Sequence, residues 1–254
     1  MILEQQRISK REKLILAGLF LSKYDSVGLR KLGFGSFIEA FNVIGYALGA
    51  RPASIKNYRD EFDPLFPNRR KGWHKRHRRD YCLKVLDDYK KLDLDTFAGL
   101  VKSFVGYDEN AWSEVTAKEE KPDGESFFAK RLITGLAAEH YFEIVQPNIP
   151  EFKSYAVQNT TRLGCGYDFR LRTGSQKHFL AIEVKGMKER NGSVSLTPKE
   201  YENAASLADR FFLFVVKNFR EAPFHEIYQA PLAGSLKFTK KERVTVQTSW
   251  LTTV

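Results

Sequence analysis

Asp168, Glu183 and Lys185 stand within GYDFRLRTGSQKHFLAIEVKG, residues 166–186, a stretch otherwise patterned as two extended strands joined by a turn. Phe169, Leu171, Phe179, Leu180, Ile182 and Val184 supply its apolar side. Side chains alternate along a strand, so Glu183 and Lys185 share one face while Ile182 and Val184 take the other. A turn at about 173–176 folds the first strand back and brings Asp168 opposite or diagonal to residues 181–183, within reach of Glu183. Two carboxylates side by side repel one another unless a cation sits between them. Hard oxygen ligands of this kind suit Mg2+, with Mn2+ able to substitute. A lysine beside that cation can position a water or help to deprotonate it. The chemistry this points to is hydrolysis of a phosphodiester by a metal-activated water, with charge on the phosphate oxygens neutralised by the metal.

A Glu-x-Lys on its own is an ordinary feature of a solvated strand face. What distinguishes this one is its setting: an aspartate on the preceding strand, Gly186 after the lysine, then the short segment SVSL, read as a strand, and a helix opened by Thr197-Pro198-Lys199-Glu200. Threonine can cap, proline fits the first helical position, and a glutamate three residues after the threonine completes a capping box. FFLFVV, 211–216, is a continuous apolar run of the kind found in a strand buried on both faces. A helix is expected over roughly 125–143, strands at about 166–173 and 177–185, and further strands in HEIYQAPLAGSLKF and RVTVQTSWL. Together these give an α/β fold, more narrowly α+β with a mixed sheet flanked by helices. Gly164 and Gly166, just before the aspartate, mark a bend.

The N-terminal part reads differently. Apolar residues recur at helical spacing, as in Leu14, Leu16, Leu19 and Phe20 and again in Phe37, Ile38, Phe41 and Ile44. This predicts an all-helical domain over residues 1–105, a linker over 106–124 that contains Pro122 and Gly124, and a second domain over 125–254. Within the first, FIEAFNVIGYALGARPASIKNYRDEF, 37–62, has helix-turn-helix spacing, with the turn at Gly49. Ile55, Tyr58 and Phe62 would face the core and leave Lys56, Asn57 and Arg59 outward, as a recognition helix presents side chains to a major groove. NRRKGWHKRHRR, 68–79, follows at once, with seven Lys/Arg and two His around Trp73. So dense a run repels itself unless an anion offsets it, which makes Arg69, Arg70, Lys71, Lys75, Arg76, Arg78 and Arg79 candidate phosphate contacts. A helical hairpin and a disordered basic loop are the plainer alternatives.

Composition agrees with a polyanionic partner. The net charge of the 254-residue chain is +10, and residues 1–100 hold 20 Lys+Arg against 12 Asp+Glu. Neutralising phosphates releases condensed counterions, which favours nucleic acid without any sequence reading. A membrane surface is the poorer partner, since no basic amphipathic helix has a strong apolar face and no apolar run reaches the roughly 20 residues of a membrane span. Two cysteines, Cys82 and Cys165, are too few for a disulfide framework and too far apart for a zinc pair, which suits a reducing, cytoplasmic setting.

GYDF, then AIEVKG, then SVSLTPKEYENAASLADRFFLFVV resemble the PD-(D/E)XK nuclease superfamily. More narrowly they resemble the domain named after the C-terminal part of the NO VEIN protein, which also occurs in restriction-type endonucleases. The resemblance covers roughly 125–220 and implies a restriction-endonuclease-like core in which Asp168 and Glu183 hold the metal and Lys185 serves the attacking water. Tyr167 stands where the strict family pattern has proline. Many members add a glutamate from the helix before the sheet; Glu139 in RLITGLAAEHYFEIV is the candidate and Glu143, one turn on, its rival. The implied protein is a Mg2+-dependent endodeoxyribonuclease of restriction type acting on double-stranded DNA. It would be a homodimer, because cutting both strands calls for two active sites. A DNA-binding regulator that does not cut, or a nuclease acting on RNA or single strands, would share most of these residues. Arg170, Arg172, Lys188 and Arg190 lie close enough to touch phosphate, although solvated charge is the default for all four.

Overall fold

A computed structural model of the chain describes residues 8–105, 124–174, 178–234 and 236–242. The expected linker therefore lies almost wholly outside the described residues, as do the middle of the turn before residue 178 and the strand expected in RVTVQTSWL.

The helical region starts with α1 (Lys10–Lys23), capped by Ser9, whose hydroxyl accepts the Glu12 N–H at 3.2 Å. Residues 14–22 of α1 are all buried, so this helix is apolar on every side and must be wrapped by others. Around it lie α2 (Asp25–Lys31), α3 (Phe37–Ala47), α4 (Pro52–Phe62), α5 (Asp80–Tyr89) and α6 (Leu94–Ser103), with α1 packed most extensively on α4. Ser36 caps α3, and Pro52 opens α4 where its missing N–H costs nothing. The chain between them turns at Gly49 (φ +63°). The two helices of the expected helix-turn-helix are thus present, the second beginning two residues before Ser54.

After the undescribed stretch comes the long α7 (Gly124–Val145), followed by a five-stranded sheet and α8 (Pro198–Leu207). The strands are β1 (Ala156–Asn159), β2 (Phe169–Arg172), β3 (Leu180–Gly186), β4 (Phe211–Lys217) and β5 (Phe224–Gln229), in the spatial order 1-2-3-4-5. Neighbours are antiparallel except β3 and β4, which are parallel and joined by the crossover through α8. β4 is buried along six of its seven residues, as its unbroken apolar run requires. β1 was not expected. Its AVQN is exposed throughout and carries no alternation to read.

The segment SVSL is not a strand. Both edges of β3 are already occupied, by β2 and β4, so this chain only crosses over to the cap of α8. Of HEIYQAPLAGSLKF, the part through Gln229 forms a strand; Ala230 takes φ +46° and the chain turns.

One face of the sheet, with Phe169, Leu171, Ile182, Val184, Phe212 and Phe214, packs on α7, and α3 lies behind that helix. The same apolar core continues into α1 and α4. Asn42 of α3 adds polar ties by donating to the carbonyls of Phe219 (2.9 Å) and Glu221 (3.0 Å). The other face carries a small cluster, Tyr167, Ala181 and Phe211 against Ala204 of α8. Glu183 and Lys185 alternate with Ile182 and Val184, so they share the α8 side with Ala181.

Candidate functional site

The register of β2 on β3 pairs Phe169 with Ile182, and one step further sets Asp168 against Glu183. Gly164 and Gly166 (φ +59° and +83°) turn the chain just before that point. There the backbone of the second strand leaves the ladder, and the aspartate side chain takes its place: Asp168 Oδ2 accepts the Val184 N–H at 2.8 Å. Asp168 keeps its own backbone bonds, its N–H to Ile182 and its carbonyl to the Thr160 N–H, so its position is fixed from both sides.

Lys185 Nζ lies 2.5 Å from Glu183 Oε1 and 2.7 Å from Glu200 Oε2. Glu200 sits on α8, where the capping box is complete: the Thr197 hydroxyl accepts the Glu200 N–H, and Glu200 Oε2 accepts the Thr197 N–H at 3.0 Å. One carboxylate therefore both closes the first turn of α8 and holds the lysine. The sequence showed the cap but not this second use, because only the crossover brings α8 over β3.

Glu139 approaches from α7. It accepts a hydrogen bond from the Thr161 hydroxyl at 3.4 Å, and its carboxyl is pushed up to about 7 by burial and then by the charge of Asp168. Its rival Glu143 is exposed and faces His140 at 3.9 Å. Burial raises Asp168 to about 6, and burial with the neighbouring Asp168 charge also pushes Glu183 upward. Burial opposes the charge on Lys185, yet Glu183 and Glu200 outweigh it and keep the ammonium more basic than usual. The centre is thus an excess of carboxylates gathered around a single cation, in a place where water screens them poorly.

The packing of α7 on β3 depends on Gly186. A Cβ there would lie 2.6 Å from the Thr134 carbonyl oxygen and 3.0 Å from Ala138 Cβ, so only a residue without a side chain lets the helix approach. The glycine after the lysine is accounted for by that approach.

The helical candidates divide. Lys56 is exposed and pairs with Asp60 at 2.6 Å, and Asn57 is exposed. Arg59, expected to face outward, is 9% exposed and lies over the rings of Phe37 and Phe41. The reason is helical spacing: residue 59 falls four after Ile55 and three before Phe62, on the buried stripe, and Asp60 and Asp63 offset its charge. Arg70 and Arg79 are paired with the buried Asp63 (2.8 Å) and Glu61 (2.5 Å), whereas Arg69, Lys71, Lys75 and Arg76 are exposed and Arg78 is half-buried. Nearer the sheet, Lys188 pairs with Glu39 at 2.9 Å, Arg170 rests on Phe179, Arg190 lies over Phe224, and Arg172 is exposed. A groove of about 500 Å³ between α1 and α5, lined by Ile15, Tyr81 and Val85 among others, includes none of the residues of the carboxylate centre. No helix among the described residues is long and apolar enough to cross a membrane.

A family model described as Protein NO VEIN, C-terminal, matches residues 136–229, a domain associated with PD-(D/E)XK-like nucleases. The match runs from the middle of α7 to the end of β5 and spans Glu139, Asp168, Glu183, Lys185 and Glu200. Neither curated proteins nor solved structures give a match.

Proposed function

We propose that this chain is a Mg2+-dependent endodeoxyribonuclease of restriction type, acting as a homodimer on double-stranded DNA. The observation that carries the reading is the meeting of Asp168, Glu183 and Lys185 on the α8 side of the sheet, inside the stretch matched by a nuclease-associated domain.

The donor set suits a divalent cation. The Val184 N–H engages Asp168 Oδ2 and Lys185 engages Glu183 Oε1, which leaves one hard anionic oxygen on each carboxylate outside those contacts. Among the described residues no group of three or more His, Cys, Asp or Glu side chains is set out as a metal cage. Mg2+ does not need one, since it commonly takes one or two carboxylates, waters and substrate phosphate oxygens. Asp168 and Glu183 would hold the ion, which when bound supplies Lewis-acid activation of water and neutralises charge on phosphate.

The other groups divide the remaining work. Lys185 stays protonated, so it acts as a donor that steadies negative charge on a phosphoryl oxygen or orients the water, and not as a base. Glu139, with a proton affinity near neutrality, is the group suited to take a proton at its carboxylate. Glu200 acts through Lys185 by fixing its Nζ.

The test is incubation of duplex DNA, single-stranded DNA and RNA with the full chain, in Mg2+ or in chelator, beside Asp168→Asn. Internal cleavage of the duplex that needs Mg2+, and that is lost in the variant while DNA affinity persists, is the expected result. Cutting that ignores both chelator and substitution, or no cutting of any of the three polymers, refutes the proposal.

A further inference from the structure

The basic segment 68–79 is an ordered part of the fold, and it is held by acids. Asp60, Glu61 and Asp63 cluster at the C-terminal end of α4, where the helix dipole makes negative charge unfavourable. The Glu61 and Asp63 side chains are fully buried. The segment supplies what these acids lack. Arg70 binds Asp63 through both Nε (2.8 Å) and Nη2 (2.9 Å) and also reaches Asp25, while Arg79 binds Glu61 through its backbone N–H and its guanidinium. Asn68 donates to the Asp63 carbonyl and accepts from the Arg70 N–H, and the Trp73 N–H donates to the Asp60 carbonyl at 2.7 Å. Gly72 makes the tightest point. It has φ +49°, and a Cβ there would lie 2.2 Å from the Asp60 oxygen.

The arginines that look most available in the sequence are thus the fasteners. What they hold outward is a second set: Arg69, Lys71, Lys75 and Arg76 are all exposed, and among the described residues none has a carboxylate partner. Four cations are displayed on a backbone pinned at several points, so little conformational entropy remains to be lost when an anion binds them.

We propose that this pinned loop is a contact site for the phosphate backbone of duplex DNA, in which Arg69, Lys71, Lys75 and Arg76 touch phosphates while Arg70 and Arg79 touch none. A duplex fits better than a single strand for a reason visible in the aromatic residues. Single strands are held by bases stacking on free rings. Here Trp73 has the guanidiniums of Arg76 and Arg79 near its ring and Tyr58 has that of Arg79, so these two rings are already engaged by cations, while Tyr81 is 38% exposed but also has Arg79 and Arg11 near its ring. The choice of DNA rests on the nuclease reading above. The division of the loop into fasteners and contacts rests on the ion pairs alone.

The experiment measures binding of a labelled duplex by full-length Asp168→Asn protein over a range of salt concentrations, with and without the fourfold change Arg69→Gln, Lys71→Gln, Lys75→Gln and Arg76→Gln. Each lost phosphate contact lowers the slope of log affinity against log salt by about 0.9, so a fall of roughly 3–4 is expected. The unfolding temperature should stay unchanged. Arg70→Gln should lower the unfolding temperature, which separates the two sets. A duplex slope untouched by the fourfold change, or a loss confined to single strands, RNA or phosphatidylserine vesicles, overturns this inference even if the protein cuts duplex DNA. Failure of the parent protein to bind duplex at any salt overturns both this inference and the nuclease reading.

Discussion

Gly186→Ala offers the sharpest check on how the centre is assembled. The added methyl would stand 2.6 Å from the Thr134 oxygen and 3.1 Å from its carbonyl carbon, both backbone atoms of α7, and 3.0 Å from Ala138 Cβ. Backbone cannot swing aside as a flexible side chain does, so α7 must retreat from β3 by several tenths of an ångström. Overpacking of this kind costs about 1–3 kcal/mol. In a domain of this size that corresponds to a fall of about 2–12 °C in unfolding temperature. Glu139 rides on the same helix, so cleavage should fall as well, by about 10- to 100-fold if its carboxylate moves by close to an ångström. Gly135→Ala, on α7 itself, is the control. A Cβ there meets nothing within 4 Å, and alanine gains about 0.5–1 kcal/mol of helix propensity, so this variant should be slightly more stable. Thermal unfolding and single-turnover cleavage of both variants provide the readout. Equal stability of the two variants, or Gly186→Ala with undiminished cleavage, would show that the approach of α7 to the lysine strand does not set the site.

Further outcomes follow from the charges. Glu139 binds its proton more tightly folded (about 7) than at the usual 4.5, so the stability it contributes is complete below about pH 4.5 and is lost as pH rises through 7. In chelator, Glu139→Gln should flatten that decline and be about 1–3 kcal/mol more stable than the parent at pH 8, measured by denaturant unfolding at several pH values; a parallel pH dependence in the two proteins would contradict the assignment. Glu200→Gln keeps a residue able to complete the capping box but removes an anion from Lys185, so stability should change little. Its cleavage should drop by about 10- to 100-fold, with the alkaline limb of the rate profile moved to lower pH; an unaltered pH profile would remove Glu200 from the site. Arg70→Met strands Asp63, which among the described residues retains the Ser22 hydroxyl at 2.8 Å and Arg59 at 3.6 Å. Because breaking a buried pair costs about 3–5 kcal/mol and these partners offset part of it, a loss of about 2–4 kcal/mol is expected, against almost none for Arg69→Met.

The legible parts of the sequence were those where one local rule fixes the outcome. Alternation along 180–186 put Glu183 and Lys185 on one face, and the turn brought Asp168 opposite Glu183, as the register of β2 on β3 shows. The Thr197–Glu200 cap and the apolar run of β4 were equally plain. Where the reading failed, the deciding partner was far away in the chain. SVSL reads as a strand, but β3 beside it already has β2 and β4 on its two edges. β1 has an edge to join but no pattern to announce it. Arg59, Arg70 and Arg79 looked like free charge because a sequence does not display Asp63 and Glu61 being buried beneath them.

The sequence by itself determined the pairing of acid and lysine on one strand face, the glycine beside them and the capped helix that follows, since strand alternation and capping depend on residues only a few positions apart. Tertiary structure alone decided that the capping glutamate would also grip the lysine, that a carboxylate 29 residues before Asp168 would feel its charge, and which arginines of the basic run stay outward. Burial and long-range charge are properties of how distant segments are brought together. No window of the chain contains them.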